Sequence, residues 1–141
     1  MKPLVSAAAA AVALASPAVA QPAGVVNLPV DRPTTVQGVQ VACTGIGQTA
    51  RDNPSWLAYP VRVEFSDHLN AYLGAGQITV LSAKTPVLSV RCDAPWILLK
   101  LPAGAYTVEG HVPGAQAQPR SARFQPPAHG QMRVVLQFKD L

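Results

Sequence analysis

The chain has 141 residues, 49% of them hydrophobic and 13% charged, with a formal net charge of +4, two cysteines and 14 prolines. That length suits one folded domain. The basic residues are scattered along the sequence, whereas binding a nucleic acid needs a concentrated basic patch, so that function class is excluded.

The first element is a leader. Lys2 precedes an apolar, alanine-rich run over residues 5–15, which Ser16 and Pro17 interrupt, and small residues stand at Ala18 and Ala20. A basic start, a short apolar stretch and an A-x-A site predict a cleaved signal peptide over residues 1–20. Spanning a bilayer needs about 20 apolar residues, more than this run or any later stretch supplies, so the mature chain is expected without a membrane span. It would be exported, to the periplasm or the medium. Export of a chain with two cysteines, Cys43 and Cys92, predicts one disulfide, worth about 4 kcal/mol for a loop of about 50 residues in the chain-entropy account. Two free thiols or a redox or metal pair are the alternatives. The last is opposed by the absence of C-x-x-C and by the dispersal of His68, His111 and His129.

Residues 21–35 read as an extended lead-in, because Pro22, Pro29 and Pro33 oppose a helix. The domain proper is expected over residues 36–141. Val39, Val41 and Cys43 alternate with polar or small residues, as in a strand. Residues 44–56 read as a loop with one helical turn before Asn53 and Pro54. Residues 59–65 give the clearest strand: Tyr59, Val61, Val63 and Phe65 on one face, Arg62 and Glu64 on the other. Asp67 and Asn70 suit a turn. Extended structure resumes to residue 82, broken at Gly74 and Gly76, which mark a bulge or a crossing between sheets. Lys84, Thr85 and Pro86 read as a hairpin turn into a strand over 86–92. Asp93, Ala94 and Pro95 turn the chain into the apolar strand 96–100. Strands over 105–111, 120–125 and 132–138 follow, separated by turns at 101–104, 113–119 and 126–130. No sustained 3.6-residue period appears after the leader. Seven to eight short strands with a turn every ten residues or so predict an all-β, antiparallel sandwich of immunoglobulin-like or transthyretin-like form, with a barrel as its competitor.

The motif L-P-x-G-x-Y-x-V at Leu101, Pro102, Gly104, Tyr106 and Val108 resembles the carboxypeptidase regulatory-like, or transthyretin-like, β-sandwich domain. A closer likeness is to small exported proteobacterial proteins of that type. Gly45, Gly47, Glu64, Phe65, Ala71, Tyr72, Leu73, Asp93, Pro95 and Trp96 carry it, and it covers residues 41–138. Ala94 and Ala103 depart from the pattern, where glycine and proline are usual; both changes touch turn geometry. The resemblance implies a structural or binding module and no activity. The related hydroxyisourate hydrolase uses His and Arg side chains and a terminal Y-R-G-S, whereas this chain ends Q-F-K-D-L.

Candidate site residues are few. Asp93 beside Trp96 reads either as a ligand platform, with the indole stacking on a sugar, or as a turn acid beside a structural tryptophan; Trp56 and Tyr72 are the other aromatics a ligand could meet. Tyr106 reads as a corner tyrosine whose hydroxyl bonds a backbone carbonyl. Asp67 and His68 lack the further ligands that a metal needs. Gly45 and Gly47 are too little for a phosphate loop, and His129 reads as a turn residue. No nucleophile motif appears, and no cofactor is implied. The expected role is a non-catalytic protein-interaction or envelope-structural module with another envelope protein as partner. The alternative is a small-ligand or carbohydrate binder using Trp96, Trp56 or Tyr72, with a hydrolase a distant third.

Overall fold

Ten strands, one short helix and one 3-10 helix make up the protein in a computed structural model that describes residue 3 and residues 8–13, 24–114 and 119–141. Most of the predicted leader, with its cleavage site, lies outside the described residues, as do residues 21–23 and the middle of the predicted 113–119 turn.

In chain order the elements are β1 (Val26–Asn27), β2 (Thr34–Val36), β3 (Val39–Thr44), helix α1 (Gln48–Arg51), a 3-10 helix (Pro54–Ala58), β4 (Val61–Asp67), β5 (Gly76–Ser82), β6 (Thr85–Cys92), β7 (Trp96–Lys100), β8 (Tyr106–His111), β9 (Arg120–Phe124) and β10 (Met132–Phe138). They form two five-stranded sheets, ordered β1-β6-β5-β8-β9 and β10-β4-β7-β3-β2. The protein is thus an all-β sandwich, with two separate sheets rather than one closed barrel. The eight strands from β3 to β10 are those the sequence predicts; β1 and β2 raise the number to ten and come from the lead-in.

The sheets are mixed, which corrects the expected antiparallel arrangement. β10 runs parallel to β4 over seven residue pairs, from Met132 opposite Val61 to Phe138 opposite Asp67. The chain reaches β10 from β9, in the other sheet, so no hairpin fixes its direction. β1 is also parallel to its neighbour, β6.

Period-two patterning builds the core. In β5, Ile78 and Val80 are buried while Gln77 and Thr79, which alternate with them, are half-buried. Across the sandwich, Phe65 of β4 and Phe138 of β10 are 0% and 1% exposed, with ring centroids 6.5 Å apart. Burying each such side chain contributes about 1.5–3 kcal/mol. Glycine lets the backbone approach this core: a Cβ on Gly76 would stand 2.5 Å from the Phe65 ring, and one on Gly74 would stand 2.5 Å from the Asp93 carbonyl oxygen. The predicted interruption at these glycines is therefore one of close approach. The register shift itself falls between Val80 and Leu81. Beside it Pro86 lies within β6 rather than in the turn, which is made by Ala83 and Lys84. A bulge is where a strand tolerates proline.

Cys43 of β3 and Cys92 of β6 form the disulfide, with Cα atoms 5.5 Å apart, so it joins the two sheets. The lead-in lies along the same place. The Leu28 amide donates to the Arg91 carbonyl at 2.8 Å, and the Asp31 amide donates to the Cys43 carbonyl at 2.7 Å. The segment thus crosses from one sheet to the other beside the sulfur bridge.

Candidate binding surface on the outer face of the second sheet

β4 was expected to turn Arg62 and Glu64 to solvent. Glu64 is instead 1% exposed, because this outer face is covered too. The covering chain is the excursion from residue 45 to residue 60. Trp56 and Tyr59 of this segment pack on Ala42 of β3 and Leu98 of β7. Every residue of β7 from Trp96 to Leu99 is consequently buried.

The segment is fastened by polar contacts at both ends. The Arg51 Nε donates to the Gly45 carbonyl at 2.9 Å. The Asn53 side chain caps the 3-10 helix by accepting from the Ser55 amide at 3.0 Å. The Gln131 amide donates to the carbonyls of both Trp56 and Tyr59, at 2.8 and 2.9 Å. Burial raises the Tyr59 phenol above its ordinary pKa, since a phenolate there would lose hydration.

Strand register places Glu64 beside Trp96, and Arg62 between Leu98 and Arg133. The Glu64 carboxylate is held on both oxygens. Arg133 donates to Oε2 through Nε at 3.0 Å and an Nη at 2.6 Å. At Oε1 the Arg62 Nε lies 3.1 Å away, an ion-pair contact without hydrogen-bond alignment, and the Tyr72 hydroxyl donates at 3.4 Å. Hydrogen bonding to Glu64 raises the Arg133 pKa further, with the charge attraction second. A carboxylate taken out of water needs such partners. They also order the surface: the Arg62 guanidinium stacks 4.1 Å from the centroid of the Trp96 ring.

Trp96 is enclosed on every side the contacts reach. Besides Arg62 it meets the edge of Tyr72, with ring centroids 6.0 Å apart at 84°, and the backbone of Gly45. A Cβ on Gly45 would come within 2.8 Å of the Trp96 Cγ, and φ there is +106°. Trp96 is 5% exposed and Trp56 6%. Neither indole offers a face to a ligand, so the exposed-tryptophan platform is not found. Trp96 supports a loop on the outer face and does not enter the sandwich core.

The four sequence candidates therefore separate. Tyr72, Trp96 and Asp93 come together, while Trp56 packs further along β7. Of the four, Tyr72 and Asp93 reach solvent. Both line a depression of about 300 Å³ with Gly45, Ile46, Arg51 and Pro95. The Arg51 guanidinium lies 4.8 Å from the Tyr72 ring centroid. The Asp93 side chain pairs with Arg91 at 3.2 Å, and it is the Asp93 carbonyl, not its carboxylate, that accepts a backbone amide, from Ala75. A second depression of about 490 Å³ adjoins the first across Ile46 and is lined by Asp31, Pro33, Thr49 and Trp56 among others.

Elsewhere, Asp67 accepts from the Leu69 and Ala71 amides at 2.8 and 2.9 Å and so shapes the predicted turn, with Asn70 at φ 64°. His68 meets the Leu141 carbonyl, and His129 is exposed in its bend. The Tyr106 hydroxyl donates to the Pro102 carbonyl at 2.9 Å, the corner bond the sequence predicts, although its ring is half-buried.

Sequence reasoning missed Arg51, Glu64 and Arg133 as one group. The available signal was the apolar content of the excursion: Trp56, Leu57 and Tyr59 in a loop require a surface to cover. No protein-family model matches this chain, and a search of curated proteins finds no match to it.

Proposed function

We propose that the protein is an exported, non-catalytic module of the carboxypeptidase regulatory-like type that binds another protein of the cell envelope. One observation carries this reading. Ile46, 59% exposed, stands beside Arg51 and the 39% exposed Tyr72, and Leu57 is 66% exposed on the same covering segment. Tyrosine and arginine with apolar neighbours are the residues that dominate protein interfaces. The segment is fastened at both ends, so little order remains to be imposed on binding. The Glu64 carboxylate, engaged by three side chains, serves as the anchor of this surface and not as a reacting group. The disulfide is compatible with an oxidising compartment, and no helix among the described residues is long and apolar enough to cross a membrane. The corner bond from Tyr106 to Pro102 fits the L-P-x-G-x-Y motif on which the resemblance rests.

The test is a photocrosslinking amino acid placed at Ile46 or Leu57 in native cells, with Thr79 on the other sheet as control. The same partner is expected from the first two positions and not from the third. Absence of any crosslinked protein from both would end this reading. The ligand-binding alternative keeps Tyr72, Arg51 and Asp93 around their depression, with both tryptophans withdrawn from it.

A further inference from the structure

The net charge of this chain has one source. Residues 110–139 contain no Asp or Glu but carry Arg120, Arg123, Arg133 and Lys139; the other Lys and Arg residues equal the acidic ones in number, so this stretch supplies the whole formal charge of +4. In linear sequence these cations look scattered. In the fold Arg120 and Arg123 fall on β9, Arg133 on β10 and Lys139 directly after it; these are the last strands of the two sheets and pack beside one another.

At the end of β9 lies a concavity of about 830 Å³, open to solvent. Strand register builds it: Ser82 of β5, Tyr106 of β8 and Phe124 of β9 stand in one row, with the turn of Ala83 and Lys84 on one side and Arg123 and Gln125 on the other. Tyr106 and Phe124 line it where its bottom meets the core, their rings stacked with centroids 5.7 Å apart at 25°. Its walls hold two exposed cations, Lys84 and Arg123, and the hydroxyls of Ser82 and Thr107. No acidic side chain lines it. Among the described residues, neither Lys84 nor Arg123 takes part in the ion pairs that Glu64 makes with Arg62 and Arg133 and Asp93 makes with Arg91. Glu109, a diagonal neighbour of Arg123 on β8, makes no ion pair with it. β9 is hydrogen-bonded to a strand on one side only, that of β8.

We propose that this groove receives an extended acidic segment of a partner protein. Its carboxylates meet Lys84 and Arg123, and a flat or apolar side chain lies on Tyr106. Two cations on opposite walls suit a ligand with repeated negative charges, and alternate side chains of an extended peptide lie on one face, about 7 Å apart. That favours a peptide over an anionic glycan. The site is separate from the Ile46 surface, so either can fail without the other.

The test uses the oxidised full chain and a fluorescein-labelled peptide of alternating Glu and Thr, followed by anisotropy at low salt. Saturable binding is expected, weakened about tenfold by Lys84→Gln with Arg123→Gln and by raised salt. Arg32→Gln with Lys139→Gln, an equal loss of charge at exposed positions outside the groove, should leave the affinity unchanged, and an alternating Gln–Thr peptide should not bind. Both wall cations are exposed, so the variants keep the fold, which circular dichroism verifies. Absence of binding by the Glu–Thr peptide, or an equal loss in the Arg32→Gln, Lys139→Gln variant, overturns the proposal. So does an oligogalacturonate that displaces the peptide and binds more tightly, since that would make the groove a glycan site.

Discussion

At the residue scale, Glu64 decides the character of the outer face. Its carboxylate is buried, yet its three partners lie nearer solvent: the Arg133 side chain is 57% exposed and that of Arg62 19%. Removing the negative charge leaves cations that can turn to water. The cost is therefore below that of stranding a fully buried charge. Glu64→Gln should destabilise the protein by about 1–3 kcal/mol, the range for an unsatisfied buried polar group. Urea unfolding measures it. Arg133→Ala should cost less alone, and much less in the Glu64→Gln background, because its main partner is then neutral. Equal costs for Arg133→Ala in the two backgrounds would show that the pair contributes nothing specific.

At the scale of elements, the excursion between β3 and β4 is the part that sequence patterning reads least well. Most strands from β3 to β10 are legible because they alternate, as Gln77, Ile78, Thr79 and Val80 do, and β7 because it is a continuous apolar run between turns. The lead-in is not, since Val26 and Asn27 make too short a run to register as a strand and pair only because β6 offers an edge. Nor is burial of the second face of β4 and β7, which depends on a loop returning over them. Of the site, Tyr72, Asp93 and Trp96 were recognisable as neighbours of a turn, but the arginines that arrange them come from β4, β10 and α1, far apart in sequence. Gly45 tests this account. Alanine there would be strained at φ +106° and would press on the Trp96 ring. Gly45→Ala should cost about 1–3 kcal/mol. It should also lift the covering segment, making tryptophan fluorescence more open to quenching by iodide. Unchanged quenching would mean that the segment is held by Trp56 and Gln131 alone.

At the scale of the molecule, two fastenings of different kind meet on one side of the sandwich. The Cys43–Cys92 bond links the sheets covalently, and the lead-in crosses beside it, bonded to Arg91 on one sheet and to Cys43 on the other. On the β6 side the lead-in has only β1, two residues long, and Leu28, 7% exposed; on the β3 side it is held further by β2 and by the Thr44 hydroxyl, which donates to the Asp31 carboxylate at 2.6 Å. Its place depends on β3 and β6 staying together where they converge, which is the work of the disulfide. Replacing both cysteines by alanine should lower stability by about 2–5 kcal/mol, mostly by freeing the unfolded chain. That alone would weaken all regions alike. If the bridge also fixes the crossing, the Leu28 and Asp31 amides should lose hydrogen-exchange protection by local opening, well beyond the global loss seen at Ile78 and Val80 in β5. Parallel losses at all four amides would confine the disulfide to its effect on the unfolded state. A selective loss at Leu28 and Asp31 would make it the fastening of the N-terminal segment as well.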